Sequence, residues 1–394
     1  MTAATPPLEL GPLERAAGMA FGRTKSVTAL AKDHSRTPRQ ALEAVLVEAL
    51  QRTPCVMSFS GGRDSSGLLA VAVAVARREG LPLPIPATLV FPDDEQADEG
   101  HWQQAVLDHL GLTERMIITA SGDEFDAIGP LAREVLAKHG LLWPYNVHFH
   151  LPIVRQAVGG TVVTGFGGDE LALSSSTLFA ERVITRRRPK NVRDVLAVGA
   201  SVSPWPTRFV GQLYATRQLI DVTPWLTPVG RTAVWAAYAG AQARSPLGWG
   251  RKLRNELWPA RYVQSTLCSA QAIADPYDVR MTHPFVEPRV LQALAAHAPF
   301  TGMGGRDALV GSLFGDVLPP DVVRRTTKAS FGSALWTETA RDFARSWTGA
   351  GVDARFVDAE AIRRQWLDAT VNAFSASLLQ QGWLAVNRRP GGAH

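Results

Sequence analysis

Apolar and polar positions along the chain fall into two regimes. Between residues 37 and 164, short apolar runs of strand length alternate with longer stretches of helical spacing. The first run, Cys55-Val-Met-Ser-Phe59, stops at Ser60-Gly61-Gly62. Leu68 to Ala76 is apolar on every side, and its length suits a buried helix better than a strand. Strand signals recur at Thr88–Phe91, Arg115–Thr119 and Thr161–Thr164, with helical stretches at His101–Leu110 and Phe125–His139 between them. Thr37-Pro38-Arg39-Gln40 reads as a capping box with proline at the first helical position, opening a helix over Gln40–Leu50. Pro82, Pro84 and Pro86 make a stiff connection into the second strand. This alternation predicts an α/β fold, a parallel sheet with helices on both faces.

After residue 185 strand signals almost vanish, and helical segments separated by Pro and Gly run to the end. Nine of the eleven tryptophans lie beyond residue 200, where core or groove packing is their expected role. Residues 1–36, dotted with Pro, Ala and Gly, read as a loosely packed N-terminal arm. The expected organisation is therefore an arm (1–36), an α/β domain (37–185) and a mostly helical lobe (186–394).

With 394 residues, 46% hydrophobic and 20% charged, the chain has the composition of a soluble globular protein and enough length for a sizeable core. Two cysteines, Cys55 and Cys268, build no disulfide framework, and Cys55 on a buried strand favours a reducing compartment. No apolar stretch of about 18 residues and no signal pattern is present, so the expected location is cytoplasmic, without a membrane span. The net charge of +5 suits anionic ligands but is too small to argue for nucleic acid. One basic run, Arg186-Arg187-Arg188-Pro189-Lys190, reads either as a solvated loop or as a docking patch for an acidic peptide or phosphate.

The densest chemistry lies at Ser60-Gly61-Gly62-Arg63-Asp64-Ser65-Ser66. A strand, a glycine turn and a helix form a phosphate site because glycines let the backbone approach the anion while the first helical N–H groups are unpaired. Hydroxyls at 60, 65 and 66 add donors, and Asp64 can face a magnesium ion held by the phosphates. The lysine of a Walker loop is missing. These residues resemble the pyrophosphate loop of the N-type ATP pyrophosphatases, Ser-Gly-Gly-x-Asp-Ser-Ser. Within that superfamily the chain is most similar to the synthetase domain of asparagine synthetase and its relatives, beta-lactam synthetase and the lasso-peptide cyclases. The likeness runs from about residue 40 to near the C-terminus and gives residues 37–185 the character of an ATP-pyrophosphatase domain. On this resemblance Ser58 and Val90 join the loop residues as ATP contacts.

Gly165-Phe166-Gly167-Gly168-Asp169-Glu170 directly follows the fourth strand. Loops at the carboxyl ends of neighbouring parallel strands share one crevice, so Asp169 can meet Asp64 across bound Mg-ATP, with Gly165 and Gly167 lining the nucleotide. The stretch resembles the Gly-x-Gly-x-Asp-Glu motif of the asparagine synthetase group, whose Asp binds magnesium. Phe166 departs from that pattern. Glutamate stands there in asparagine synthetase, and a tyrosine of the catalytic dyad in beta-lactam synthetase; phenylalanine neither takes nor gives a proton. Leu318 to Phe331 looks like the late family segment ending Arg-x-x-Lys-x-x-Phe, which implies that Lys328 stabilises charge on the phosphates and acyl centre. Arg324 and Arg325 read as helix-terminal and surface charges. His283-Pro-Phe-Val-Glu287 resembles a Pro-Phe-x-Asp segment with Glu for Asp. Trp143, Tyr145, Asn146 and His148, clustered before the fourth strand, are candidate substrate contacts together with Phe166, or else core aromatics with satisfied histidines.

Thr2 stands where the glutaminase domain of asparagine synthetase has its nucleophilic cysteine, and residues 1–54 are too few for that fold. The resemblance then implies an AMP-forming ligase that takes ATP and Mg2+ and joins a carboxylate to a ready-made amine. Macrolactam formation on a ribosomal precursor peptide of the lasso type is the leading expectation, with a leader-binding or protease protein as partner. The alternatives are a small-molecule amide or lactam synthetase and a non-catalytic leader-peptide-binding partner.

Overall fold

The computed structural model describes residues 8–92, 94, 97–172, 199, 203–215, 222–325 and 332–387. Five parallel strands form one sheet: β1 (Cys55–Ser58), β2 (Ile85–Val90), β3 (Met116–Thr119), β4 (Thr161–Val163) and β5 (Arg280–Thr282), in the spatial order β3-β2-β1-β4-β5. The chain winds outward from β1 to β3, then returns to place β4 on the other side of β1. The strand order therefore reverses between β1 and β4, and a crevice opens there at the carboxyl ends.

The alternation of side chains along β1 accounts for helices on both faces. Cys55 and Met57 join one apolar cluster with α2 (Pro38–Leu50), α3 (Arg63–Glu79) and α4 (Gly100–Leu110). Val56 and Val162 join the opposite one, with Ile153 and Val154 of α6 (Leu151–Arg155) and Ala270 and Ala274 of the helix Arg261–Ala274. Helix α2 begins as its sequence dictates: Thr37 Oγ1 accepts from Gln40 N at 3.2 Å, and Gln40 Oε1 accepts from Thr37 N at 2.9 Å. Leu68, Leu69, Val71, Val73 and Val75 bury α3 on every side, as the unbroken apolar run requires.

Two features depart from the sequence reading. The fifth strand comes from Arg280–Thr282, inside the stretch read as helical; three residues carry no strand signal, and their conformation is set by pairing with β4. Residues 10–20 of the N-terminal segment are packed rather than loose. The short helix α1 (Pro12–Ala17) buries Ala16 and Ala17, Trp225 Nε1 donates to Ala16 O at 2.9 Å, and buried Glu14 pairs with Arg261 at 2.7 Å. Of the later tryptophans, Trp225, Trp249, Trp336, Trp347 and Trp366 are core residues, while Trp205 is exposed. Both cysteines are free thiols, and no helix among the described residues is long and apolar enough to cross a membrane.

Candidate active site

The Ser60–Ser66 loop leaves β1 and enters α3 at the crevice. Gly61 adopts φ +83, and a Cβ there would lie 2.8 Å from Gln103 Cγ, so the turn requires glycine. Gln103 Nε2 donates to Ser60 O at 3.2 Å, and Arg325 Nη1 donates to Gly61 O at 3.0 Å. In a trans peptide the C=O and the following N–H point opposite ways. Fixing these two carbonyls therefore fixes the direction of the Gly61 and Gly62 N–H groups, and the Gly62 N–H donates to Ser60 Oγ at 3.4 Å. Ser60 Oγ and Ser65 Oγ are 3.1 Å apart, and Ser65 Oγ donates to Gly62 O at 3.1 Å, so the hydroxyls brace the turn. Ser66 is fully buried, and its hydroxyl has no partner among the described residues. Ser58 and Val90 stand at the carboxyl ends of β1 and β2.

Gly165 to Gly168 lead from β4 into the short helix α7 (Gly168–Ala172). A Cβ on Gly168 would lie 2.4 Å from Asp64 Cγ; one on Gly167, at φ +100, would lie 2.6 Å from Val286 Cγ1. Only glycines let this loop sit flush against both Asp64 and the Pro284–Val286 turn. As a result Asp64 and Asp169 converge: one guanidinium, Arg306, donates to Asp64 Oδ2 at 2.5 Å and also to Asp169 Oδ1. Arg306 begins the helix Arg306–Phe314, which packs on α3 where Gly67 meets the Phe314 ring. Two carboxylates that share one cation are spaced to share another, and hard oxygen donors suit magnesium. No group of three or more His, Cys, Asp or Glu that could hold a metal ion is found among the described residues.

Arg325 corrects the sequence reading. It is 5% exposed, pairs with buried Glu99, bonds to Gly61 O of the Ser60–Ser66 loop and lies 4.9 Å over the Trp102 ring. It is an internal brace of the loop, unlike exposed Arg324. Its signal was its place as the first residue of the Arg-x-x-Lys pattern. Arg306 carried no signal, because the carboxylates it meets lie 242 and 137 residues away. Lys328 and the Arg186–Lys190 run lie outside the described residues.

The substrate candidates separate. Trp143 is buried and packs edge-on to Tyr145 at 6.2 Å, and burial raises the Tyr145 phenol. Asn146 is half-buried at the start of the Val147–His150 turn. His148 is turned into the core: it is 1% exposed, its Nε2 lies 3.1 Å from Phe125 O, and burial pushes its pKa down to about 4. Phe166, partly exposed, faces His283 edge-on, with ring centroids 5.8 Å apart. Glu287, in place of the family Asp, pairs with Arg289 at 3.1 Å.

A family model described as asparagine synthase matches residues 39–383. No curated protein matches the chain.

Proposed function

The chain belongs to the asparagine synthase family, whose membership supports ATP-dependent amide-bond ligation in general, and on that premise we propose an AMP-forming ligase that adenylates a carboxylate. A substrate carboxylate attacks the α-phosphorus of ATP, pyrophosphate leaves into the Ser60–Ser66 loop, and an amine then displaces AMP from the acyl adenylate. The observation that carries this reading is the convergence of Asp64 and Asp169, from separate loops at the β1/β4 switch point, on a single cationic group. Asp64 and Asp169 would hold magnesium against phosphate oxygens, where the ion supplies positive charge to the departing pyrophosphate. The braced loop adds N–H donors that need no reorganisation as that charge develops. Lys328, three residues beyond the anchored Arg325, is the proposed cation at the acyl centre.

For the substrate we propose a precursor peptide closed to a macrolactam, its N-terminal amine meeting an Asp or Glu side chain. Phe166, which offers no proton acceptor of the asparagine or beta-lactam type, and the likeness of residues 318–331 to the lasso-peptide cyclases support this. The test is product analysis with purified protein, ATP and candidate peptides. AMP, PPi and a peptide lighter by one water are expected; ADP and phosphate, or turnover without any carboxylate, would contradict the reading.

A further inference from the structure

The guanidinium that joins Asp64 to Asp169 is part of a larger charge arrangement. Arg63-Asp64 of the loop and Arg306-Asp307 of the helix meet as crossed ion pairs. Arg306 Nη2 donates to Asp64 Oδ2 at 2.5 Å, and its other terminal nitrogen donates to Asp169 Oδ1. In return Arg63 Nη1 donates to Asp307 Oδ1 at 2.5 Å and to Val323 O at 3.4 Å. The two terminal nitrogens of Arg306 belong to one planar fork, so one oxygen of each carboxylate is drawn to a single small space. A magnesium ion shared by the same carboxylates needs that space. One guanidinium against two carboxylates leaves a negative charge over, whereas a divalent ion cancels both. Arginine stays protonated in proteins, so Arg306 can yield only by moving, not by losing its charge.

The surroundings allow that movement. The Arg306 side chain is 27% exposed and that of Asp169 43%, so water already reaches the bridge. Arg306 Nε is buried and has no partner among the described residues, so withdrawal breaks no bond there. Gly302, Gly304 and Gly305 precede the helix at φ +82, +88 and +107, and a Cβ on Gly305 would meet nothing within 4 Å. The far end of the helix is held: Arg39 Nη1 donates to Leu313 O at 2.5 Å and to Asp316 Oδ1 at 3.0 Å, and Phe314 packs on Gly67. The helix can keep its seat while the side chain at its start swings out.

We propose that Arg306 is a resident counter-cation, which keeps Asp64 and Asp169 assembled until magnesium enters by displacing it; this rests on the magnesium role given to those carboxylates above. Without it, two like charges in a partly buried site would repel and the two loops would part. With it, loading the site is an exchange of one cation for another. Arg63 and Asp307 are positioning residues that hold Arg306 over the loop.

The experiment needs no substrate. Mn2+, which suits the same oxygen donors, is titrated into nucleotide-free protein and followed by loss of the free-ion EPR signal. Arg306→Gln removes the competing charge, so Mn2+ should bind about tenfold tighter or more, the scale of a charged hydrogen bond. Combining it with Asp64→Asn should abolish the gain. Arg306→Lys, a point charge that spans the carboxylates less well, should show a smaller gain and serves if the glutamine variant does not fold. Asp307→Asn should tighten Mn2+ about two- to threefold, the scale of an exposed ion pair. A merely structural Asp307 would change stability and leave the affinity alone. Asp316→Asn, at the far end of the same helix, should match the wild type. Unchanged or weaker Mn2+ binding in Arg306→Gln, or a gain that survives Asp64→Asn, would overturn the proposal. Absence of carboxylate-dependent ATP–PPi exchange in the wild type would count against the ligase reading alone, because the titration tests the cation exchange separately.

Discussion

Replacing Glu99 or Arg325 tests how the Ser60–Ser66 loop is held. Their side chains are 6% and 2% exposed, so either single substitution strands a charge in the interior. Losing one partner of such a pair costs about 3–5 kcal/mol. In Arg325→Met the Glu99 carboxylate, whose Oε2 already lacks a partner among the described residues, loses its cation, and the upper half of that range applies. In Glu99→Leu the guanidinium keeps Gly61 O at 3.0 Å and the Trp102 face at 4.9 Å. A desolvated cation–π contact contributes about 2 kcal/mol, so the cost should stay near 3 kcal/mol. The double variant leaves an apolar pair of similar volume and should be within about 1 kcal/mol of wild type. Urea unfolding followed by tryptophan fluorescence gives the cycle, with an expected coupling of at least about 2 kcal/mol. ATP–PPi exchange should not recover in the double variant, because Gly61 O has lost its donor. Additivity within about 0.5 kcal/mol would refute the reasoning.

Further outcomes follow from close packing and burial. In Gly168→Ala the new Cβ, 2.4 Å from Asp64 Cγ, should shift that carboxylate and cut PPi exchange about 100-fold while leaving urea stability near wild type; unchanged exchange would contradict the placement of Asp64. Gly67→Ala sets a Cβ 2.5 Å from Phe314 Cδ2, and the overpacking should cost about 1–3 kcal/mol in urea. For pH, burial lowers His148 from 6.5 to about 4 and His283 to about 3, so the folded state resists protons that the unfolded chain takes up. Stability is then fully present above pH 6.5 and lost as pH falls toward 4, by roughly 3 kcal/mol for His148 alone. Urea midpoints flat across that window would contradict it.

The sequence carries the half of the site that is local. A glycine turn between an apolar run and a buried helix is a contiguous pattern, and so is Gly165–Asp169, because each loop belongs to one strand and one helix. What brings Asp64 and Asp169 onto one guanidinium is not contiguous: Arg306 arrives on a helix held by the Gly67–Phe314 packing. Arg325 reads as a surface charge until Glu99, 226 residues earlier, is seen to bury with it. Likewise β5, with Arg280 at its start, has no intrinsic strand pattern and exists through its neighbour β4. Among the aromatics before β4, one register decides the outcome. His148 and His150 lie two positions apart, yet the 3-10 turn sends the first into the core and leaves the second partly exposed.

The central claim, that Asp64 and Asp169 form one cation site for the departing pyrophosphate, is tested most directly by carboxylate-dependent ATP–PPi exchange in Asp64→Asn and Asp169→Asn at saturating magnesium. An amide keeps the shape but carries no charge and is a poorer ligand for a hard cation. Each substitution should slow exchange at least about 100-fold, near 3 kcal/mol of transition-state stabilisation. The double variant should be little worse than either single, since the two carboxylates act on one ion. Near wild-type exchange in either single variant would contradict the account.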